Sequence, residues 1–205
     1  MTADGAPPNH LGLRRELARK TLHLAAVVIP VAYNRGASRD AVVTMLAVAS
    51  GVALLIEVAR RTSASFGAMF DRAFGSLLRQ REKSACTGAT WLALSCLGAV
   101  LLFSRDAAIA SLWCVTVGDP AAAIAGRAWK AAHPPASGMD NRKSFIGSLA
   151  CAAVSFVGVW VLANYAVSAA LIVAFVAAVS EVLPVRLDDN IRVAGAAGAM
   201  AQLLA

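Results

Sequence analysis

The chain has 205 residues, 59% of them apolar and 15% charged, with 19 basic residues against 12 acidic ones and a net charge of +7; mean hydropathy is +0.65. A soluble domain usually carries about 25% charge, so this composition lacks the polar surface that a water-soluble globule needs. It excludes that class and points to an all-α, polytopic transmembrane helix bundle, because several uncharged runs are long enough to cross about 30 Å of hydrocarbon.

Residues 1–13, with Gly5, Pro7 and Pro8, carry no periodic apolar pattern and are expected to form a disordered polar tail. Residues 14–205 read as one transmembrane domain. Arg14, Arg15, Arg19 and Lys20 precede an apolar run that ends at Tyr33. That order resembles a signal peptide, but no soluble mature domain follows it. The segment is therefore span 1, residues 17–33, its first turns in the headgroup zone where basic side chains snorkel. Span 2 covers residues 41–59, span 3 residues 86–103 and span 4 residues 107–126. The uncharged stretch 144–180 is too long for one crossing and makes spans 5 and 6, turning near Asn164 and Tyr165. Residues 191–205 make a seventh span. Cys86, Cys96, Cys114 and Cys151 stand apart in apolar runs, without a Cys-x-x-Cys pair, and read as small buried apolar residues. Glu57-Val58 and Glu181-Val182 end spans 2 and 6 alike, but two residues do not make a repeat.

A cytosolic N-terminus puts sixteen of the nineteen basic residues on the inner face and leaves Arg35, Arg39 and Arg105 outside. That asymmetry sets the orientation by the positive-inside rule. The positive charge is thus a sorting signal. Nucleic acid is not expected as a partner, since no basic stripe is interleaved with aromatic residues.

In this topology the even-numbered spans descend to the cytosol, and each carries a carboxylate in its inner part: Glu57, Asp119 and Glu181. All three lie toward the negative end of a helix dipole, and an anion at membrane depth costs a few kcal/mol more, so a cation must compensate each one. A divalent metal would do so, as would interfacial pairing with Arg60, Arg127 or Arg186. Asp119, about two turns above its helix end, fits interfacial pairing least. It sits in Gly118-Asp119-Pro120, where Pro120 withdraws a helix donor, frees a carbonyl near Thr116, and Gly118 lets the backbone bend. The ordinary alternative is a close small-residue helix contact carrying a stray acid.

The odd-numbered spans start on the same side. Lys143-Ser144, followed by Gly147-Ser148, offers a lysine, a cap hydroxyl and free backbone N–H groups: an anion site, or else a plain helix cap. Asp188-Asp189-Asn190 before span 7 reads as a cap and turn, or as a site for Mg²⁺, which binds through one or two carboxylates plus phosphate oxygens and water. Glu16, Arg19, Lys20 and His23 share one helical face. Glu16 and Lys20 make an ordinary salt pair. His23, one turn into the membrane, needs a partner and can move protons near neutral pH, or is a satisfied interfacial histidine. Glu82 and Thr87-Gly88 add another acid at this face. Acids for a metal, basic groups and helix N-termini for phosphates, and a base at one end of the bundle describe a site for a metal nucleoside triphosphate beside the acyl-chain region.

Five ordered segments carry a family resemblance: Glu16-x-x-Arg19-Lys20-x-x-His23; Glu82 with Thr87-Gly88-Ala89-Thr90; Gly118-Asp119-x-x-Ala122-x-x-x-Gly126-Arg127; Lys143-Ser144-x-x-Gly147-Ser148; and Glu181 with Asp188-Asp189-Asn190. Together they resemble the phytol kinase, dolichol kinase and CTP-dependent diacylglycerol kinase family. Lys130 and Ile146 depart from the family pattern, standing where a second glycine and an acid are common.

The resemblance implies phosphoryl transfer from CTP to the hydroxyl of a membrane-dissolved lipid alcohol, such as phytol, a prenol, a polyprenol or diacylglycerol. Asp119, Asp188 and Asp189 are the expected Mg²⁺ ligands. Arg19, Lys20, Gly118, Gly126, Arg127, Lys143, Ser144, Gly147 and Asn190 are the expected nucleotide contacts. Lys143 would also neutralise the transferring group, and His23 or Glu181 would accept the hydroxyl proton. Two other readings stay open: a CTP-dependent phosphatidate cytidylyltransferase, and a proton- or ion-coupled transporter with Glu57, Asp119 and Glu181 as relay acids.

Overall fold

The computed structural model describes residues 19–21, 23–78, 82, 85–133, 143–185 and 187–205. The N-terminal tail, Arg14, Arg15, Glu16 and Arg186 lie outside the described residues, and so do the contacts expected of them. Within the described residues every regular element is helical, as composition required. A 3₁₀ turn, Ala25–Val27, leads into α1 (Val28–Asn34), followed by α2 (Arg39–Thr62), α3 (Ala64–Phe74), α4 (Gly88–Leu102) and α5 (Arg105–Trp113). One π turn, Cys114–Gly118, joins α5 to α6 (Asp119–Ala132); α7 (Phe145–Val161), α8 (Val167–Val182) and α9 (Asp189–Leu203) complete the order.

Helix starts follow local capping chemistry. Ser38 accepts the Ala41 N–H at 3.2 Å, Ser63 the Phe66 N–H at 3.3 Å, Thr87 the Thr90 N–H at 3.4 Å, and Asp188 the Asn190 N–H at 3.0 Å, each satisfying an orphan donor of a first turn. The α7–α8 hairpin turns where expected, with Asn164 in the left-handed region at φ 59°, a conformation asparagine tolerates better than branched residues.

Two helices among the described residues are long and apolar enough to cross a membrane: α2, with 24 residues, and the continuous Arg105–Ala132 helix, with 28. At 1.5 Å per residue they reach about 36 and 42 Å. The apolar helices α4, α7 and α8 have 15, 17 and 16 residues, about 22–26 Å each. The Arg105–Ala132 helix is central and largely buried, whereas α2 runs along the flank with Val48 and Leu55 61% and 70% exposed. Alanine makes the centre possible. Ala107, Ala108 and Ala110 of α5, Ala170, Ala174 and Ala177 of α8, and Ala194, Ala197 and Ala201 of α9 are all buried. Such small side chains let helix backbones approach closely where lipid offers no hydrophobic drive.

The end of the bundle away from the site is pinned by polar groups meeting exhausted helix termini. Arg39 donates to the Val100 and Leu101 carbonyls at 3.2 and 2.8 Å. Arg105 donates to the Tyr33 carbonyl and lies over the Tyr33 ring, 4.7 Å from its centroid. Gln202 accepts the Ser104 N–H at 2.7 Å, and the Tyr165 hydroxyl donates to the Ala201 carbonyl at 3.0 Å. Two of the three basic residues expected on the outer face thus close helix C-termini, where cations are favoured.

The helices add to the expected spans. The segment left between spans 2 and 3 contains α3, an amphipathic helix capped by Ser63 and carrying Phe66, Phe70 and Phe74 at four-residue spacing. The helix that contains the expected span 4 runs on past residue 126 to Ala132. At Gly118-Asp119-Pro120, where a bend is expected, the helix changes its hydrogen-bond register through the π turn.

Candidate active site

The π turn creates the site's central feature. Its wider register hands the Asp119 N–H to the Cys114 carbonyl, five residues back. Pro120 has no N–H, so the Val115 carbonyl loses both possible helical donors. His23 supplies the missing one: its Nε2 lies 2.9 Å from the Val115 oxygen. A carbonyl only accepts, so Nε2 carries the hydrogen, and the neutral imidazole keeps its Nδ1 lone pair free to accept. The freed carbonyl predicted near Thr116 is therefore that of Val115, one residue earlier, and the partner His23 needs is a backbone atom.

Asp119 opens α6 directly after this turn and is 3% exposed. Lys20 donates to its Oδ2, with both side chains buried at 4% and 5% exposure. Lys20 thus supplies a cation for the buried carboxylate. Arg19, Lys20, His23, Gly88, Asp119, Asp188, Asp189 and Asn190 line one cleft. Its free volume is about 10 Å³, room for roughly one water. A Cβ on Gly88 would lie 3.4 Å from both Arg19 Nη1 and Glu82 Oε1, an ordinary contact.

Asn190 is 6% exposed. Its Nδ2 donates to the Gly88 carbonyl at 3.3 Å and to Asp188 Oδ1 at 2.8 Å. Both partners are acceptors, which settles the orientation of the amide. Its Oδ1 is buried without a hydrogen-bond partner among the described residues. An orphaned carbonyl oxygen beside carboxylates suits a cation or a donor supplied by a ligand.

Lys143 and Glu181 stand just outside this cleft. Lys143 Nζ lies 2.6 Å from Glu181 Oε1 and 3.5 Å from Asp189 Oδ2, and donates to the Glu181 carbonyl as well. Arg192 pairs with Asp189 and donates to the Ser180 carbonyl at 3.0 Å. The cluster ties the start of α7 to the end of α8 and the start of α9, with Asp189 as its link to the cleft. Ser144 holds the N-cap position of α7 but makes no side-chain cap bond, contrary to the expected hydroxyl cap.

The glycines expected at the nucleotide lie in the α6–α7 contact and are not among the cleft's lining residues. A Cβ on Gly126 would meet Ser144 Cβ at 3.3 Å, one on Gly147 the Ala122 carbonyl at 2.7 Å, and one on Gly118 the Ser155 hydroxyl at 2.4 Å. These contacts are the small-residue packing weighed as the alternative. Arg127 is exposed on α6. Glu57 is likewise structural: it accepts from Arg60 Nε at 2.7 Å, Arg61 at 3.1 Å, the Thr87 N–H at 2.6 Å and Thr90 Oγ1 at 3.1 Å. It anchors the start of α4 to the end of α2.

Asp119, Asp188 and Asp189 do not form a ready three-carboxylate cage; among the described residues no three His, Cys, Asp or Glu side chains are grouped to hold a metal. Mg²⁺ does not need such a cage. One or two carboxylates suffice when phosphate oxygens and water fill the remaining positions, and an all-oxygen set with the orphaned Asn190 Oδ1 fits that chemistry.

Two curated relatives are similar over 157 residues, or 76% of this chain. The CTP-dependent diacylglycerol kinase 1 of Saccharomyces cerevisiae is 27% identical and is covered over 53% of its length. The protein of the same name from Eremothecium gossypii is 30% identical and is covered over 49%. The chain thus spans about half the length of the curated relatives it matches. No family model matches it, and no solved structure does. By sequence, the chain is thus similar to CTP-dependent diacylglycerol kinases over about half of their length.

Proposed function

We propose that this protein is an integral membrane kinase that transfers the γ-phosphoryl group of CTP to the hydroxyl of a lipid alcohol. Diacylglycerol, named for both relatives, is the first acceptor to test, with phytol, prenols and polyprenols beside it. The reading includes a cytosolic N-terminus, seven crossings, an active site on the cytoplasmic face and Mg²⁺ as cofactor. One observation carries it: a buried Lys20–Asp119 pair faces His23 and an orphaned Asn190 oxygen in a single cleft.

The chemistry follows from those groups. Asp119 and Asn190 Oδ1, with Asp188 or Asp189, would hold Mg²⁺, which when bound offsets the charge of the triphosphate. Exchange of partners opens the closed cleft, as Lys20 leaves Asp119 for a phosphate oxygen. Arg19 and Lys20 neutralise the equatorial oxygens of the transferring group. The acceptor oxygen forms a bond to the γ-phosphorus while the bond from that phosphorus to the bridging oxygen breaks, and CDP departs. The hydroxyl proton passes to Nδ1 of His23, the nitrogen its Val115 contact leaves free. His23 is preferred to Glu181 because it lines the cleft, whereas Glu181 is engaged by Lys143. Lys143 then acts on the site through Asp189.

Purified protein in nanodiscs, given Mg²⁺, a lipid alcohol and CTP labelled at the α- or the γ-phosphate, tests the reading. Lipid labelled only from the γ-position, and none with Asp119→Asn, is the expected result. Label from the α-position would mean cytidylyl transfer. Full turnover by Asp119→Asn would refute the Asp119 assignment.

A further inference from the structure

A second cavity, of about 330 Å³, adjoins the polar cleft. Its character is the opposite: Ala53 of α2, Phe70 and Phe74 of α3, Leu77, Leu78, and Leu92 of α4 form its wall. Arg19, His23 and Gly88 line both cavities, so the apolar chamber ends at the histidine and arginine of the site just described. Its volume falls within the range of small-ligand pockets, roughly 300–1,000 Å³.

We infer that this chamber holds the hydroxyl-proximal segment of the lipid acceptor, that α3 is its gate on the bilayer side, and that Phe70, Phe74 and Ala53 select the acceptor. The inference rests on the kinase reading and adds where the acceptor lies and which residues choose it. Continuity identifies the occupant: a molecule filling an apolar chamber that terminates at His23 and Arg19 carries one polar end on an apolar chain. The gate follows from how α3 is held. It packs chiefly on α2, contributes no buried residue of its own, and turns off α2 at extended Ser63, φ −115°. Phe70 and Phe74 contact each other with ring centroids 5.2 Å apart, and Arg60 lies over Phe70 at 5.7 Å. Met69 and Phe74 are 54% and 50% exposed, the surface of a helix lying in the membrane interface.

The chamber is shallow. Along α4 it runs from Thr87 to Leu92, five steps of 1.5 Å or about 8 Å. Only the part of the acceptor nearest the hydroxyl is enclosed, and the remaining chain lies in the bilayer. Selection therefore acts on shape close to the hydroxyl and is indifferent to tail length.

A geranylgeraniol analogue carrying a diazirine near its hydroxyl, photolysed with wild-type protein in phosphatidylcholine nanodiscs without nucleotide, tests placement independently of turnover. Crosslinks on residues 70–78 and on Leu92 are expected; labelling confined to other helices, or none, overturns the inference. Kinetics supply the second arm. Ala53→Trp fills the chamber and lowers kcat/KM for lipid alcohols of any tail length by at least about tenfold with KM for CTP unchanged, while Phe70→Ala shifts preference toward acceptors branched near the hydroxyl. Wild-type acceptor kinetics in both variants overturn the inference with the kinase reading intact. Crosslinking at α3 by a wild-type protein that phosphorylates no alcohol would instead sink the kinase reading.

Discussion

Replacing Lys20 by Met keeps most of the side chain's length and removes its charge, leaving Asp119 buried with its principal partner gone. Both side chains are at most 5% exposed, so solvent cannot take the lysine's place. Breaking a buried pair from one side costs about 3–5 kcal/mol, whereas replacing both partners with apolar residues is about neutral or stabilising. For a chain of this size each kcal/mol moves Tm by about 2–4 °C. Lys20→Met should therefore lower Tm by about 6–20 °C in detergent micelles, and Lys20→Met/Asp119→Leu should melt close to wild type. The same melts followed with Mg²⁺ and CTP probe the exchange of partners: ligand raises the wild-type Tm by mass action and leaves the double variant unmoved. Additive losses in the double variant, or a shift under about 2 °C in Lys20→Met, would refute the claim that this pair is a coupled, desolvated element awaiting ligand.

Three more outcomes follow from individual contacts. Gly118→Ala drives a methyl against the Ser155 hydroxyl, 2.4 Å away; it should cost about 1–3 kcal/mol, and Ser155→Ala should suppress the loss in the same thermal melts. Glu57→Ala removes the carboxylate partner of the buried Arg60 side chain and two acceptor contacts at the start of α4, an expected loss of about 3–5 kcal/mol together with faster proteolysis between α3 and α4. His23→Gln retains a donor for the Val115 carbonyl but no base; kcat should fall by about 10²–10⁴ with Tm and KM for CTP little changed, and an undiminished kcat would move the proton to another group.

Much of the candidate site was legible because its charges interrupt long apolar runs. Asp119 in an otherwise uncharged run demanded a cation, and helical spacing already placed Lys20 and His23 on one face. Which cation answered was not legible, because Lys20 and Asp119 are 99 residues apart and only helix packing sets that distance. The same limit separated two uses of glycine. Gly88 lines the cleft, while Gly126 and Gly147 let α6 and α7 touch, and the three look alike in sequence. The segment between α2 and α4 has no expected element, because its charges interrupt the apolar pattern and mask the four-residue aromatic period that makes α3 and one wall of the apolar chamber.

Composition and periodicity by themselves determined that this chain is helical, where its long apolar segments lie and which charged residues need partners, since these depend on the cost of bare polar groups in an apolar medium and on local geometry. The tertiary structure decided the partners. It set Lys20 on Asp119, gave the Val115 carbonyl to His23, turned Lys143 toward Glu181 and left Asn190 Oδ1 unanswered. Those choices depend on the depth and rotation at which separate helices meet, which small residues on facing surfaces set jointly and no single stretch of sequence encodes.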